Sequence, residues 1–242
     1  MNRKRSFLFL QGVCSPFFSC LADRLKSEGH EVLKINFNAG DWAYWGSRAA
    51  WNYRGHAADL VSYLDERYRR FGVTDQILFG DCRPVHRPAV EQGQISGVRT
   101  HIFEEGYFRP NWVTLERDGV NGYSLLPRDP GWFLDVGSRL PNYGDGQPFQ
   151  SSFDIRAVHD VAFHLAGFWN PVFFPGYSTH APVNAAVEYL GYARRLPLLR
   201  FYKARDNALV KKLVGASTPF FVLPLQLGTD AQIMNHSRFK DM

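Results

Sequence analysis

No apolar run in the 242 residues approaches the roughly 20 needed to cross a bilayer as a helix. Nor does the chain open on a secretory signal. Arg3-Lys4-Arg5 is basic, but the apolar stretch from Phe7 to Val13 is short and runs into Cys14-Ser15-Pro16 without a convincing cleavage site. That stretch reads as a first buried strand, and the protein as cytoplasmic. Cysteine is scarce: Cys14, Cys20 and Cys82 are an odd set with no CxxC spacing. They are expected to be reduced core thiols, neither a disulfide framework nor a metal site. His159 and His164 are five residues apart, not the i, i+4 of a metal-binding helix, so they read as structural and no metal is expected. No P-loop or GxGxxG is present, which removes the strongest phosphate-binding signatures. No helix-turn-helix, zinc finger or RNA-binding signature accompanies the basic residues, so no nucleic-acid partner is expected. Internal repeats and low-complexity segments are missing too.

What is present suits a folded α/β protein. Apolar residues make up 45% and aromatics 15%, ample for a core, and the net charge of +5 favours anionic partners such as a nucleotide sugar, a phospholipid headgroup or a membrane surface. Strand and helix signals alternate through the first third. Strands are expected over Ser6–Leu10, Glu31–Phe37, Gln76–Phe79 and Val98–Phe103. Helices are expected over Pro16–Glu28, with Phe17, Cys20, Leu21 and Leu25 on one face, over His56–Phe71, and over a short stretch from Pro84 to Gln92. That rhythm predicts a mainly parallel, doubly wound, Rossmann-like sheet. Residues 107–153 are turn-rich and offer no long helix. Further helices are expected over Asp154–Trp169, capped by Asp154, over Asn184–Arg195 and over Lys203–Leu213, followed by a strand over Phe220–Leu227. Trp42, Tyr44, Trp45 and Trp51 crowd the segment after the second strand, either as core or as a platform for a sugar or lipid.

The segment Phe103-Glu-Glu-Gly-Tyr-Phe-Arg-Pro-Asn-Trp112 carries the most chemistry. Glu104 and Glu105 end a strand, so their side chains point to opposite faces. Carboxylates at the carboxyl edge of an α/β sheet sit where such folds bind ligands. The bland alternative is a solvated loop. Against it, the loop that follows holds Tyr107, Phe108, Trp112 and Tyr123 among its glycines and prolines, which suits a binding loop. Arg109, Trp112 and Arg128 are its candidate ligand-binding residues.

This segment, with Phe7-Leu-Phe-Leu-Gln-Gly-Val-Cys-Ser-Pro-Phe-Phe18, Ile35-Asn-Phe-Asn-Ala-Gly-Asp-Trp42, Gly80-Asp-Cys-Arg-Pro-Val-His-Arg87 and Pro224-Leu-Gln-Leu-Gly-Thr-Asp-Ala-Gln-Ile233, resembles the capsule polysaccharide biosynthesis and export family. Its members are retaining β-Kdo transferases, Kdo being 3-deoxy-D-manno-octulosonic acid. The resemblance is to the short, single-transferase branch that starts a Kdo linker on a glycerophospholipid. It implies a GT-B architecture of two facing Rossmann-like domains, CMP-Kdo as donor substrate, no other cofactor, and an anionic glycerophospholipid acceptor. It also implies work in the cytoplasm or peripherally at the inner membrane, in a capsule-assembly complex.

The resemblance places Asp230 as nucleophile of a double displacement; on its own, Thr229-Asp230 before Ala-Gln-Ile would read as a helix cap. It leaves Glu105 as the candidate acid/base, with Glu104 as a less favoured partner. Asp81, Arg83 and His86 follow a strand and are candidates for binding the anionic acceptor or the Kdo carboxylate, Arg83 foremost. Their alternative is a helix cap and surface residues. Gln11 and Gly12 end the first strand, where backbone amides can approach a ligand. The family's His-Pro motif, which holds the CMP phosphate, does not occur in this sequence. The chain therefore reads as the amino-terminal half of such an enzyme: an acceptor-side domain over 1–223 and the start of a second over 224–242. It is expected to be inactive alone, and the alternative function is a non-catalytic capsule-assembly component that binds acceptor lipid or a partner subunit.

Overall fold

A computed structural model of the chain describes residues 4–108, 111–142, 144–146, 152–179, 185–216, 219–224 and 230–238. Contacts group the chain into two units, residues 1–178 and 179–242.

The first unit is built on a six-stranded sheet. In chain order its elements are β1 (Ser6–Phe9), α1 (Phe17–Ser27), β2 (Glu31–Asn36), α2 (Ala39–Trp45), β3 (Trp51–Asn52), α3 (Leu60–Phe71), β4 (Asp75–Phe79), α4 (His86–Ser96), β5 (Arg99–Glu105), β6 (Val113–Arg117), α5 (Pro130–Arg139), α6 (Phe153–Gly167) and α7 (Asn170–Phe173). Strand order is β3-β2-β1-β4-β5-β6. Every pairing is parallel except β5 with β6, where Phe103 lies opposite Leu115 and Glu104 opposite Thr114. This is the Rossmann-like, doubly wound, mainly parallel fold expected from the alternation of strands and helices.

Alternation along β1 shows why both faces are covered. Phe7 and Phe9 pack with Phe18, Ala22, Trp45 and Ile77 on the side of α1 and α2. Leu8 and Leu10 pack with Leu60, Leu64, Ala89, Val90 and Ile102 on the side of α3 and α4. A strand buried on both faces reads as an unbroken apolar run, as Phe7-Leu-Phe-Leu10 does. Glycines in the left-handed region stop α3 at Gly72 (φ 57°) and α4 at Gly97 (φ 70°), where a Cβ would be strained.

Several details differ from the sequence reading. Helix α2 was not anticipated; Asn38 caps it, its side chain accepting from the Asp41 amide at 2.8 Å. Residues 107–153 hold the edge strand β6 and the ten-residue helix α5, whose cap is Asp129 and whose first residue is Pro130. Helix α6 is capped by Ser152, two residues before the expected Asp154. Trp45 is core, and Trp51 packs on Phe71 with ring centroids 4.6 Å apart. His159 Nδ1 lies 2.8 Å from the Tyr44 hydroxyl.

At the amino ends of the central strands, Asp75 is fully buried. It accepts from Arg99 Nη2 and Thr74 Oγ1 at 2.7 Å each and meets His101 Nε2 at 2.8 Å. Burial alone would raise its carboxyl, but His101, Thr74 and Arg99 together hold it below its ordinary value of 3.8. Its contribution to stability is therefore complete above that value and is lost as pH falls through the lower folded-state value. Asp75→Asn is expected to cost about 1.5–3 kcal/mol at pH 7 and almost nothing at the acid end. Parallel urea titrations at pH 7 and pH 3 check this, and an equal cost at both would refute it.

The second unit, taken by itself, holds α8 (Ala185–Arg195), α9 (Leu199–Val214) and α10 (Ala231–His236), with a single 3₁₀ turn, Leu196–Leu198, between α8 and α9. The strand expected over Phe220–Leu227 does not form in its described part: residues 220–224 belong to no strand or helix, with Phe221 and Leu223 exposed. Pro219 and Pro224 flank that stretch and remove two ladder donors. Residues 225–227 lie outside the described residues. Among the described residues no helix is long and apolar enough to cross a membrane.

Candidate functional site

The carboxyl ends of β1, β4 and β5 are neighbours in the sheet and bring most of the sequence candidates together. After β1 the chain passes through buried Gln11 to Gly12. Gly12 is held from both sides. Its amide donates to Asp41 Oδ1 at 3.0 Å, and its carbonyl accepts from Arg83 Nη1 at 2.6 Å. A Cβ at Gly12 would stand 3.1 Å from the Phe18 ring, so the close approach is part of the design.

Asp41 is the hub of the arrangement. It also accepts from the Phe37 amide at 3.2 Å and lies 3.7 Å from Lys34 Nζ, with both side chains only 2% exposed. Lys34 donates to the carbonyls of Leu10 (2.7 Å) and Ile35 (3.0 Å). Burial lowers the Lys34 ammonium below its ordinary value, against the opposing pull of Asp41. Burial also lowers the Arg83 guanidinium, opposed by Asp41, Tyr177 and Glu104.

After β4, Gly80 turns with φ 68°, its amide donating to the Phe103 carbonyl at 2.8 Å. Buried His86 faces the Gly80 carbonyl through Nδ1 at 2.6 Å, which makes Nδ1 the protonated nitrogen. Asp81 is buried and accepts from the Val120 amide at 3.0 Å and the Cys82 thiol at 3.2 Å. Burial and the Asp81 hydrogen bond push the Cys82 thiol up to about 12, so it is inert as a nucleophile. Asp81 and His86 thus hold the loop that presents Arg83.

The acidic pair separates as the strand geometry requires. Glu104 is half-buried, and a Cβ added at Gly80 would lie 3.4 Å from its Oε2. Its Oε1 accepts from the Glu105 amide at 2.9 Å. Burial raises the Glu104 carboxyl, Glu105 and Asp81 add to the rise, and the Glu105 amide and Arg83 oppose it. Glu105 is exposed, on the opposite face, across from Val113. Gly106 makes the turn toward β6 feasible: a Cβ there would fall 2.0 Å from the Trp112 carbonyl oxygen.

Two further candidates lie in the first unit. Trp112 lies just before β6, 37% exposed, and Arg128 is exposed ahead of α5. Arg109 lies outside the described residues. Asp230 belongs to the second unit, immediately before α10. Sequence reasoning gave no role to Lys34, Asn38 or Asp41. A charged residue within a strand or before a helix usually faces solvent, and the signal available was the position of Asn38 and Asp41 directly after a strand's carboxyl end. Two buried amide donors, Gln11 Nε2 and Asn38 Nδ2, have no hydrogen-bond partner among the described residues. Among the described residues no group of three His, Cys, Asp or Glu side chains forms that could hold a metal ion.

Residues 74–242 match the family described as capsule polysaccharide biosynthesis protein. The chain belongs to this family. Its matched region begins one residue before β4 and includes Asp81, Arg83, His86, both glutamates and Asp230. Among curated proteins, the chain is 31% identical to capsule polysaccharide export protein KpsS of Escherichia coli, over 98% of this chain and 61% of that protein. It is 32% identical to capsule polysaccharide modification protein LipB of Neisseria meningitidis serogroup B, over 99% of this chain and 58% of that protein. The chain thus spans about three fifths of the length of these capsule relatives, and the similarity takes in the Gln11–Gly12 edge as well. No solved structure matches.

Proposed function

We propose that this capsule-family chain serves β-Kdo transfer from CMP-Kdo to a glycerophospholipid, as one Rossmann-like half of a GT-B-type transferase. The observation that supports it is the pairing, on one sheet edge, of a half-buried guanidinium with a carboxyl raised by burial: Arg83 on the Gly12 carbonyl, and Glu104 beside it. An anionic sugar needs a cation of planar geometry. An acid/base needs a carboxyl whose proton is held near working pH. The two unspent amide donors of Gln11 and Asn38 add hydrogen-bond capacity for sugar oxygens.

In the second displacement the acceptor hydroxyl gives its proton to the Glu104 carboxylate. Its oxygen then bonds to the anomeric carbon as the bond from that carbon to the enzyme's nucleophilic carboxylate breaks. Glu104, not Glu105, takes the acid/base role in this proposal, because only Glu104 combines burial with proximity to Arg83. The nucleophile role of Asp230 rests on the family resemblance.

The test is a Glu104→Gln variant, assayed for product by mass spectrometry with CMP-Kdo and a glycerophospholipid, with the carboxyl-terminal part of a capsule relative supplied to variant and parent alike. Product is expected to fall while thermal stability at pH 7 rises. A carboxyl raised by the fold destabilises once ionised, and glutamine removes that charge; the gain is absent below the ordinary value of 4.5 and complete above the raised one. Unchanged turnover in Glu104→Gln together with loss in Glu105→Gln would reverse the assignment. Sugar binding without turnover in the parent, even with the carboxyl-terminal part of a capsule relative supplied, would favour the second reading, a binding component of capsule assembly.

A further inference from the structure

The net charge of the whole chain is +5, and all of it resides in one helical stretch. Residues 185–214 hold seven basic and two acidic side chains, so the other 212 residues are balanced. That stretch is α8, one 3₁₀ turn and α9, continuous in sequence. Every residue from Tyr192 to Ala216 is exposed, Leu199, Phe201, Leu209 and Val210 at 53–66%. A helix of 16 residues with no buried side chain gains little from packing, and isolated helices of that length are marginal in water. Its apolar side chains are left uncovered among the described residues.

We infer that α8 and α9 form a docking surface for an anionic lipid bilayer. At about 100° per residue, Leu199, Tyr202, Leu209, Val210 and Leu213 of α9 share one arc, interrupted by Asp206 and edged by Lys203. Arg200 and Lys211 flank it on one side, Arg205 and Lys212 on the other. That is the arrangement of an interfacial helix: apolar side chains enter the acyl boundary, and long basic stems reach back to the headgroups. Five basic residues in 16 exclude spanning, and no described helix is apolar enough to span. A second copy of the chain fits poorly, because two faces of charge +5 repel. A nucleic acid would use the cations but leave the leucines and valine in water. The inference stands on charge and exposure and does not depend on the transfer reaction.

The experiment uses the full 242-residue chain in co-sedimentation with vesicles of phosphatidylcholine alone and with added phosphatidylglycerol, at low and high salt. Binding to the anionic vesicles only, weakened by salt, is expected. Each neutralised lysine should cost roughly fivefold in partitioning, so K203Q/K211Q/K212Q should lose on the order of a hundredfold. L209S/V210S/L213S should also weaken binding while retaining the parent circular dichroism spectrum. Equal partitioning onto uncharged vesicles would overturn the inference, as would binding unaffected by either triple variant. Without vesicle binding, dimerisation abolished by the serine variant would assign the face to a second copy. Capture on heparin without vesicle binding would assign it to a soluble polyanion.

Discussion

Asp41→Ala is expected to cost about 3–5 kcal/mol of folding stability, the effect of breaking a buried ion pair by removing one partner. The Lys34 ammonium, 2% exposed, would lose its counter-charge, and the amides of Gly12 and Phe37 would lose their acceptor. A loss of that size is a large share of the 5–15 kcal/mol that stabilises a typical domain. Urea denaturation at neutral pH measures it, and a loss below about 1 kcal/mol would show that the hub is dispensable. The double change Lys34→Met with Asp41→Leu removes both charges and should recover the part due to the stranded ammonium. It cannot recover the two backbone amides, each worth about 1–3 kcal/mol when left buried and unpaired.

Arg83→Ala is expected to weaken binding of CMP-Kdo, or of free Kdo, by roughly thirtyfold or more, since truncating one partner of a hydrogen-bonded charge pair costs about 2–5 kcal/mol. Arg83→Lys should not restore it. The guanidinium serves the Gly12 carbonyl through Nη1 and keeps further donors in the same plane, whereas an ammonium offers a point charge without that fork. Isothermal calorimetry with the purified chain reads both variants. Equal affinity in the parent and in Arg83→Ala would remove Arg83 from the sugar site and leave Arg128, or Arg109, as the remaining cationic candidates.

The parallel sheet was legible because its signals are local and redundant. β1 is an unbroken apolar run, and α1 and α3 show apolar spacing closed by glycine. The edge that gathers Gly12, Arg83 and Glu104 followed from those strands, since ligand sites in open α/β sheets lie at carboxyl ends. What was missed depends on tertiary contact. Helix α2 contains Gly40 and three aromatic residues, a poor helix on propensity. It forms where Asn38 caps it and where Gly40 lets α6 close in, since a Cβ there would come 2.4 Å from the Phe163 ring. β3 is two residues long and exists only as the partner of Ile35 and Asn36. β6 was hidden by the turn residues around it. Which glutamate is the more buried needed the structure, because alternation places them on opposite faces without saying which face is covered.

The antiparallel turn between β5 and β6 bears on how the site is assembled in time. Among the described residues it is the sheet's one antiparallel pairing, joining Glu105 to Val113 across seven residues. A hairpin closes in about 1–10 μs, while a parallel pair must wait for a crossover helix to fold back. The β1–β4 pairing that seats Arg83 against Gly12 joins Phe7 to Asp75, residues 68 positions apart. Glu104 therefore takes its strand conformation from an early, local event, and its cationic neighbour arrives with the slow, non-local closure of the sheet. A chain that has formed its hairpin but not closed its sheet exposes the acidic pair without the arginine, so if Arg83 binds an anion as proposed, that binding would report completion of folding in a way that helix content cannot.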